Sequence, residues 1–221
     1  MSNSLTLLVV LVQFSDIKLI AFDFDGTIAK TTKYAKAVFE KYVGQEIDAK
    51  KYLGPPTKVV ITNLIKDYKL KISSEEFYKS WNKNYINFIS KKKIITKSTI
   101  NTIKKLKKDG YILAIITSSS RKKLNILLSK EIEKSLDIII GSEDYKNGKP
   151  HPEALQKLMK KYKVKKNKCI YIGDNIIDMY FAKNAGIRGI GKIDFLYGKK
   201  DLEKAGAITT IKTIKDLLKL L

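Results

Sequence analysis

The sequence predicts an α/β fold, a parallel sheet flanked by helices and interrupted by one small helical insertion. Two observations carry this expectation. From residue 97 onward, helical and strand patterns alternate with short connections, which is how a parallel sheet with helices on its faces reads. Between residues 31 and 92 the pattern is helical throughout, so a block of helices enters after the first strand. The expected organisation is an apolar N-terminal extension over 1–16, a core built from 17–30 and 93–221, and a helical domain over 31–92.

The elements follow in order. IKLIAFDFD reads as a short apolar strand that ends in acidic residues, and the GT after it marks a turn. In the insertion, TTKYAKAVFEKYVG is an amphipathic helix closed by Gly44, and TKVVITNLIKDYKL is a second after the breaker Gly54-Pro55-Pro56. SSEEFYKSWNKNYINFISKK is a third, with Ser73 and Glu76 spaced as a capping box. The core then alternates: helix STINTIKKLKKDG, strand YILAIITS, helix RKKLNILLSKEI, strand LDIIIG, helix HPEALQKLMKKY and strand KCIYIGD. Helix IIDMYFAKNAG, strand IRGIG, a short strand AITTI and the terminal helix TIKDLLKLL complete it.

Composition bounds the function. A chain of 221 residues suits one α/β domain with a modest insertion. With Cys169 as the single cysteine, no intramolecular disulfide forms, and its place in the apolar run CIYIG makes it a buried strand residue. The formal charge of +22 suggests nucleic acid, but Arg121 and Arg188 are the only arginines. Recognition of bases and bidentate phosphate favours the guanidinium fork, and the lysines are spread along the whole chain. The expectation is therefore a solvated lysine surface with no specific nucleic-acid partner, whose positive field still draws in an anionic substrate. The apolar stretch LTLLVVLVQF, residues 5 to 14, is about half the length that spans a bilayer. MSNS lacks the basic residues of a signal peptide and VQFSD is a poor cleavage sequence. An extra strand or packed helix in a cytoplasmic protein, with no membrane partner, is the reading, as a monomer or homodimer.

In open parallel sheets, ligands bind beyond the carboxyl ends of the strands, so residues there are the candidates. Asp23 and Asp25 in DFDGT share a face if the strand continues regularly. One carboxylate can attack phosphorus while its neighbour protonates the leaving oxygen, and Gly26 permits a sharp turn. In GDNIID, Asp174 and Asp178 offer the hard oxygen ligands that Mg²⁺ prefers, although an N-cap and an exposed helix residue would read the same. Thr117 and Ser118 in TSSS follow a strand and precede a helix, which suits either anion binding or capping. Lys149 in GKPHPE lies between glycine and proline, and the lone His151 is read as the start of a helix rather than as an acid/base group.

DFDGT, TSSS, GKP and GDNIID, in this order and each at a strand end or helix start, resemble the four motifs of the haloacid dehalogenase superfamily. The similarity covers nearly all of the chain after residue 17. The insertion, the segment YLGPPT and GKPHPE resemble the phosphoglycolate phosphatase and β-phosphoglucomutase branch. This implies a Rossmann-like core with a helical cap, and a Mg²⁺-dependent phosphatase acting on a small phosphorylated metabolite, with phosphoglycolate as the leading substrate. It implies Asp23 as the nucleophile and Asp25 as the general acid/base. The metal would be held by Asp23, the Asp25 carbonyl and Asp174, with Asp178 direct or through water. Gly26, Thr27, Thr117, Ser118 and Lys149 would bind the phosphoryl group, with Thr117 and Lys149 also serving catalysis.

One departure is DGTIAKT, where many members read DGTLVDS, so Lys30 stands where an acidic residue is common. A solvated Lys30 is the expectation. The alternatives are phosphoryl transfer of the β-phosphoglucomutase kind and a basic nucleic-acid or partner-binding protein. Dehalogenation has no use for the second aspartate or for a metal site.

Overall fold

The computed structural model describes residues 14–221. Six strands form one parallel sheet: β1 (Leu19–Phe22), β2 (Ile112–Ile116), β3 (Ile138–Ile140), β4 (Cys169–Gly173), β5 (Arg188–Lys192) and β6 (Ala207–Ile211), in the order β3-β2-β1-β4-β5-β6. The strands are apolar because both faces are covered. Ile20, Phe22, Leu113, Ile115, Ile170 and Ile172 pack on one face, and Leu19, Ala21, Ala114, Ile116, Cys169 and Tyr171 on the other. This two-residue alternation follows from the pleat. Each such Ile, Leu or Phe, fully buried, stabilises the fold by about 1.5–3 kcal/mol. Cys169 is buried as expected, and burial pushes its thiol up to about 11.

Between β1 and the core helix α5 (Lys97–Lys108) lie α1 (Thr32–Val43), α2 (Ala49–Tyr52), α3 (Thr57–Asp67) and α4 (Ser74–Ile89). They pack on one another through α1·α4, α3·α4 and α2·α3 contacts, around an aromatic cluster. In that cluster Phe39 stacks on Trp81 at 4.5 Å, and Trp81 on Tyr85 at 4.6 Å. Gly44 closes α1 at φ +78°, the left-handed conformation that favours glycine.

The remaining helices are α6 (Arg121–Leu127), α7 (Lys130–Glu133), α8 (Glu153–Tyr162), α9 (Ile176–Ala185) and α10 (Lys199–Lys204). Several local expectations need correction. RKKLNILLSKEI is two helices, because Leu128 is extended and the Ser129 hydroxyl accepts from Ile132 N to cap a new one. TIKDLLKLL ends as 3₁₀ turns over Ile214–Lys219. The short α2 and α10 escape the apolar pattern, since each buries a single large residue, Tyr52 and Leu202. Ser73 does cap α4, accepting from Glu76 N, but its hydroxyl donates to the Glu76 carboxylate and the reciprocal half of the box is absent. The extension expected over 1–16 falls almost wholly outside the described residues. Of those described, Phe14 is buried in the core. Among the described residues no helix is long and apolar enough to cross a membrane.

Candidate active site

The sheet order places β1 between β2 and β4, so the ends of three strands meet at one edge. Phe22 pairs with Ile115 and Ile172, which brings the next residue, Asp23, level with Ile116 and Gly173. Asp23 N donates to Ile172 O at 2.8 Å and keeps the backbone in the ladder one residue beyond β1. Thr117 and Asp174 are the first residues past β2 and β4.

Asp23, Asp174 and Asp178 are buried, and one carboxylate oxygen from each lies within 4.8 Å of the others. Lys149 reaches in from the loop before α8, with Nζ 2.6 Å from Asp23 Oδ1 and 2.8 Å from Asp178 Oδ1. Asp178 is the third residue of α9, where its Oδ2 accepts from Asn175 N while the Asn175 side chain accepts from Ile177 N. The N-cap is thus Asn175, and neither Asp174 nor Asp178 is an exposed helix residue. Thr27 donates to Asp174 Oδ1 at 2.9 Å. Gly26 has φ +81°, and a Cβ there would sit 2.1 Å from Asp174 Oδ2. Gly26 and Thr27 therefore position Asp174 instead of lining the cavity. Lys192, buried on β5, donates to Gly26 O at 2.6 Å and pairs with Asp194 at 3.0 Å.

Asp25 faces another set of partners. Lys123 Nζ, from α6, lies 2.8 and 2.9 Å from its two oxygens, Thr31 donates at 2.7 Å, and Ser119 donates to Oδ2. Thr117 Oγ1 accepts from Ser119 N at 3.1 Å, fixing the turn that presents Ser118. A cavity of about 140 Å³ lies over these groups, walled on the core side by Asp23, Asp25, Thr117, Ser118 and Lys149 and on the insertion side by Phe39, Tyr52, Val60, Trp81 and Tyr85.

The electrostatics separate the two aspartates of DFDGT. Burial pushes the Asp23 carboxyl up to about 7, with Asp178 and Asp25 adding to the rise and Lys149 opposing it. Burial also raises Asp174 well above the usual carboxylate range, reinforced by Asp178 and Asp23. For Asp25 burial acts upward too, but the Lys123 ammonium and the three hydrogen bonds together outweigh it and hold the carboxyl below its ordinary value. Burial acts downward on Lys149, and its carboxylate neighbours overcome this and keep it charged.

The donor set fits Mg²⁺. Three buried carboxylates share one lysine, and Lys149 pairs with Asp23 and Asp178 but leaves Asp174. A divalent cation among hard oxygen ligands would balance this excess and reverse the upward shifts. Asp23 and Asp174 are the carboxylates with room for it, since both Asp178 oxygens are already engaged.

Lys123, Thr31, Ser119 and Lys192 were not among the sequence candidates. Of these only Ser119 lay in a segment already singled out, TSSS, and Lys123 Nζ comes to 2.9 Å from its Oγ from the first turn of α6. Lys30 is exposed, as expected. His151 is exposed as well, and its Nδ1 accepts from Glu153 N at the start of α8.

Carboxylates, hydroxyls and a buried lysine from four segments, gathered at the carboxyl edge of a parallel sheet, define an enzyme of α/β fold equipped to handle phosphoryl groups. The model of the haloacid dehalogenase-like hydrolases matches residues 20–192, and the chain belongs to that family, as a phosphatase. It is 30% identical over 183 residues to the pyrophosphatase PpaX of Halalkalibacterium halodurans, covering 78% of this chain and 82% of that one. The crystal structure of a predicted phosphoglycolate phosphatase from Haemophilus somnus superposes with a TM-score of 0.79 at 20% identity, over 93% of this chain and 98% of the other. That of the β-phosphoglucomutase from Clostridium difficile gives 0.73 at 22%, over 91% and 93%. At these identities the two solved structures speak for the fold alone.

Proposed function

We propose that the chain is a Mg²⁺-dependent phosphatase that hydrolyses a small phosphomonoester through an aspartyl-phosphate on Asp23, with phosphoglycolate as the first candidate substrate. The observation that carries this reading is the convergence of Asp23, Asp174 and Asp178 on one point beside Lys149, under a small cavity. An Asp23 oxygen bonds to phosphorus as the bond to the leaving oxygen breaks, and Asp25, once protonated, gives that oxygen its proton. In the second half, Asp25 as carboxylate takes a proton from the water that displaces Asp23. The four contacts on Asp25 favour this carboxylate form. Thr117 and the Ser118 amide hold phosphoryl oxygens, and Lys149 offsets charge on Asp23 and the phosphoryl group. Mg²⁺, when bound by Asp23 and Asp174 with the Asp25 carbonyl and Asp178 in support, supplies further charge stabilisation and alignment. The 31–92 insertion acts as the cap that limits water during the first step.

The cavity volume supports a substrate of few atoms, being well below the roughly 300–1,000 Å³ of pockets for drug-sized ligands. Pyrophosphate is the second reading, favoured by the name of the 30%-identical relative. A phosphate-release screen over phosphoglycolate, pyrophosphate, sugar phosphates and nucleotides, with and without Mg²⁺, tests both. Release from a small substrate, lost in Asp23→Asn, is expected. No release from any member, or full activity in Asp23→Asn, would overturn the reading, and interconversion of glucose phosphates without release would make it a mutase.

A further inference from the structure

The part of the cavity wall that the insertion supplies carries no charge. Among the described residues lining the cavity, those from the insertion are aromatic, aliphatic or hydroxyl-bearing, such as Phe39, Trp81, Val60, Thr32 and Thr57. The composition of the insertion does not produce such a wall by itself, because lysine is abundant there. Lys33, Lys36, Lys51 and Lys58 are the immediate sequence neighbours of the lining residues Thr32, Ala35, Tyr52 and Thr57. Each of the four is engaged away from the cavity. Lys36 pairs with Glu40 and, at 2.9 Å, with Glu46, and Lys51 pairs with Asp67 at 2.8 Å. Lys33 and Lys58 lie over the rings of Tyr34 and Tyr78, 5.0 and 5.5 Å from their centres.

The charges that do line the cavity come from the core, and they leave no cation over. Four carboxylates, Asp23, Asp25, Asp174 and Asp178, stand against two ammonium groups. Lys123 is taken by Asp25, and Lys149 by Asp23 and Asp178. A divalent cation on Asp23 and Asp174 would bring these groups to balance, and the phosphoryl group then adds negative charge of its own. A further anion on the leaving group would meet rings and aliphatic chains with no free cation, where an unpaired charge is costly. What the wall offers a leaving group is uncharged: the threonines of the insertion and, from the core, the carboxamide of Asn175.

We propose that the cavity selects phosphomonoesters whose leaving group is small, hydroxylated and uncharged, and discriminates against those whose leaving group is an anion. The inference rests on the phosphatase reading and deepens it by reordering its candidate substrates. Phosphoglycolate leads on resemblance, whereas the charges of this cavity favour its uncharged counterpart, 2-hydroxyethyl phosphate. Glycerol 3-phosphate stands to 3-phosphoglycerate in the same relation. The device behind the selection is the outward commitment of the lysines next to Thr32, Ala35, Tyr52 and Thr57, which keeps the wall neutral in a chain otherwise dominated by positive charge.

Kinetics of the wild type on these two matched pairs test it, since the members of each pair are alike in length and differ in the charge at the far end. In both pairs kcat/KM is expected to be about tenfold or more higher for the uncharged member. A smaller ratio in both pairs, or a preference for the carboxylate in either, overturns the proposal. Release from pyrophosphate alone, whose leaving group is an anion, would also overturn it and leave the phosphatase reading standing. No release from any member of a broad panel would end the phosphatase reading, and this inference with it. Thr57→Lys and Thr32→Lys each place an ammonium on the neutral wall. At least one of them is expected to lower the ratio about threefold or more by improving the use of phosphoglycolate. A ratio unmoved in both variants would mean that the wall does not set the preference, and would overturn the assignment.

Discussion

Lys123 grips Asp25 through both carboxylate oxygens, at 2.8 and 2.9 Å, while its ammonium lies 5.0 Å from the ring centre of Tyr85. One contact belongs to the DFDGT turn and the other to α4 of the insertion. The lysine is thus the point at which the acid/base candidate, the helix after β2 and the wall of the cavity meet. Tyr85 carries the connection to Trp81 through its stacked ring, and burial pushes the Tyr85 hydroxyl up to about 12, so it stays neutral beside the ion pair.

Removing the cation leaves a largely buried carboxylate with hydroxyl partners alone. Lys123→Met is expected to lower stability by about 1–3 kcal/mol, less than for a fully enclosed pair because Asp25 keeps some exposure. Adding Asp25→Asn should return part of that loss, since no unpaired charge then remains. Urea unfolding of both single variants and the double variant measures it. Strict additivity would mean that the pair contributes nothing to stability.

Asp174 is the carboxylate that Lys149 does not reach, and it is crowded by Asp23 and Asp178. Asp174→Asn is expected to make the metal-free protein more stable by about 1 kcal/mol or more, because one buried charge disappears. The same change should cost more than about 100-fold in activity and abolish the rise in melting temperature expected of the wild type with Mg²⁺. Thermal melts with Mg²⁺ and with a chelator, run on both proteins, test the two halves separately.

How much of this was legible in the sequence depends on distance along the chain. Asp23, Thr117 and Asp174 each lie next to an apolar strand, and in a parallel sheet strand ends meet at one edge by topology alone. Lys123 was hidden among many similar lysines, because only the packing of α6 turns its side chain toward Asp25. Thr31 was masked in the same way by its neighbour Lys30, whose charge drew attention while the buried threonine made the bond. Trp81 could be read as an apolar helix position, but its unpaired N–H is a property of the surrounding rings. The break at Leu128 shows the same limit locally, since one serine hydroxyl outweighed a continuous helical pattern.

Glu153 supports the loop that delivers Lys149. Its carboxylate accepts from Lys146 N at 3.1 Å and Asn147 N at 2.9 Å and pairs with Lys157, which together lower its pKa from 4.5 to about 2. A group whose folded pKa is depressed stabilises the protein fully above its unfolded pKa, and the contribution fades as pH falls through the folded value. The difference in melting temperature between wild type and Glu153→Gln should therefore be constant above about pH 5 and shrink toward pH 2. A difference independent of pH across that window would show that the carboxylate charge plays no part.

Gly26 is the position at which backbone conformation and the close approach of the Asp174 carboxylate constrain the same residue. At φ +81° an L-residue is strained by about 1–2 kcal/mol, and its Cβ would fall 2.1 Å from Asp174 Oδ2. The clash has no cheap relief, because Asp174 is anchored by Thr27 and the Gly26 carbonyl by Lys192. Gly26→Ala is therefore expected to lose about 2 kcal/mol or more of stability and, where folded, to displace Asp174 enough to cost on the order of 100-fold in kcat. Urea unfolding and steady-state kinetics at saturating Mg²⁺ measure the two effects. A Gly26→Ala protein of wild-type stability and rate would mean that the DFDGT turn is looser than its contacts require, and that Asp174 is not held in place by the close approach of this glycine.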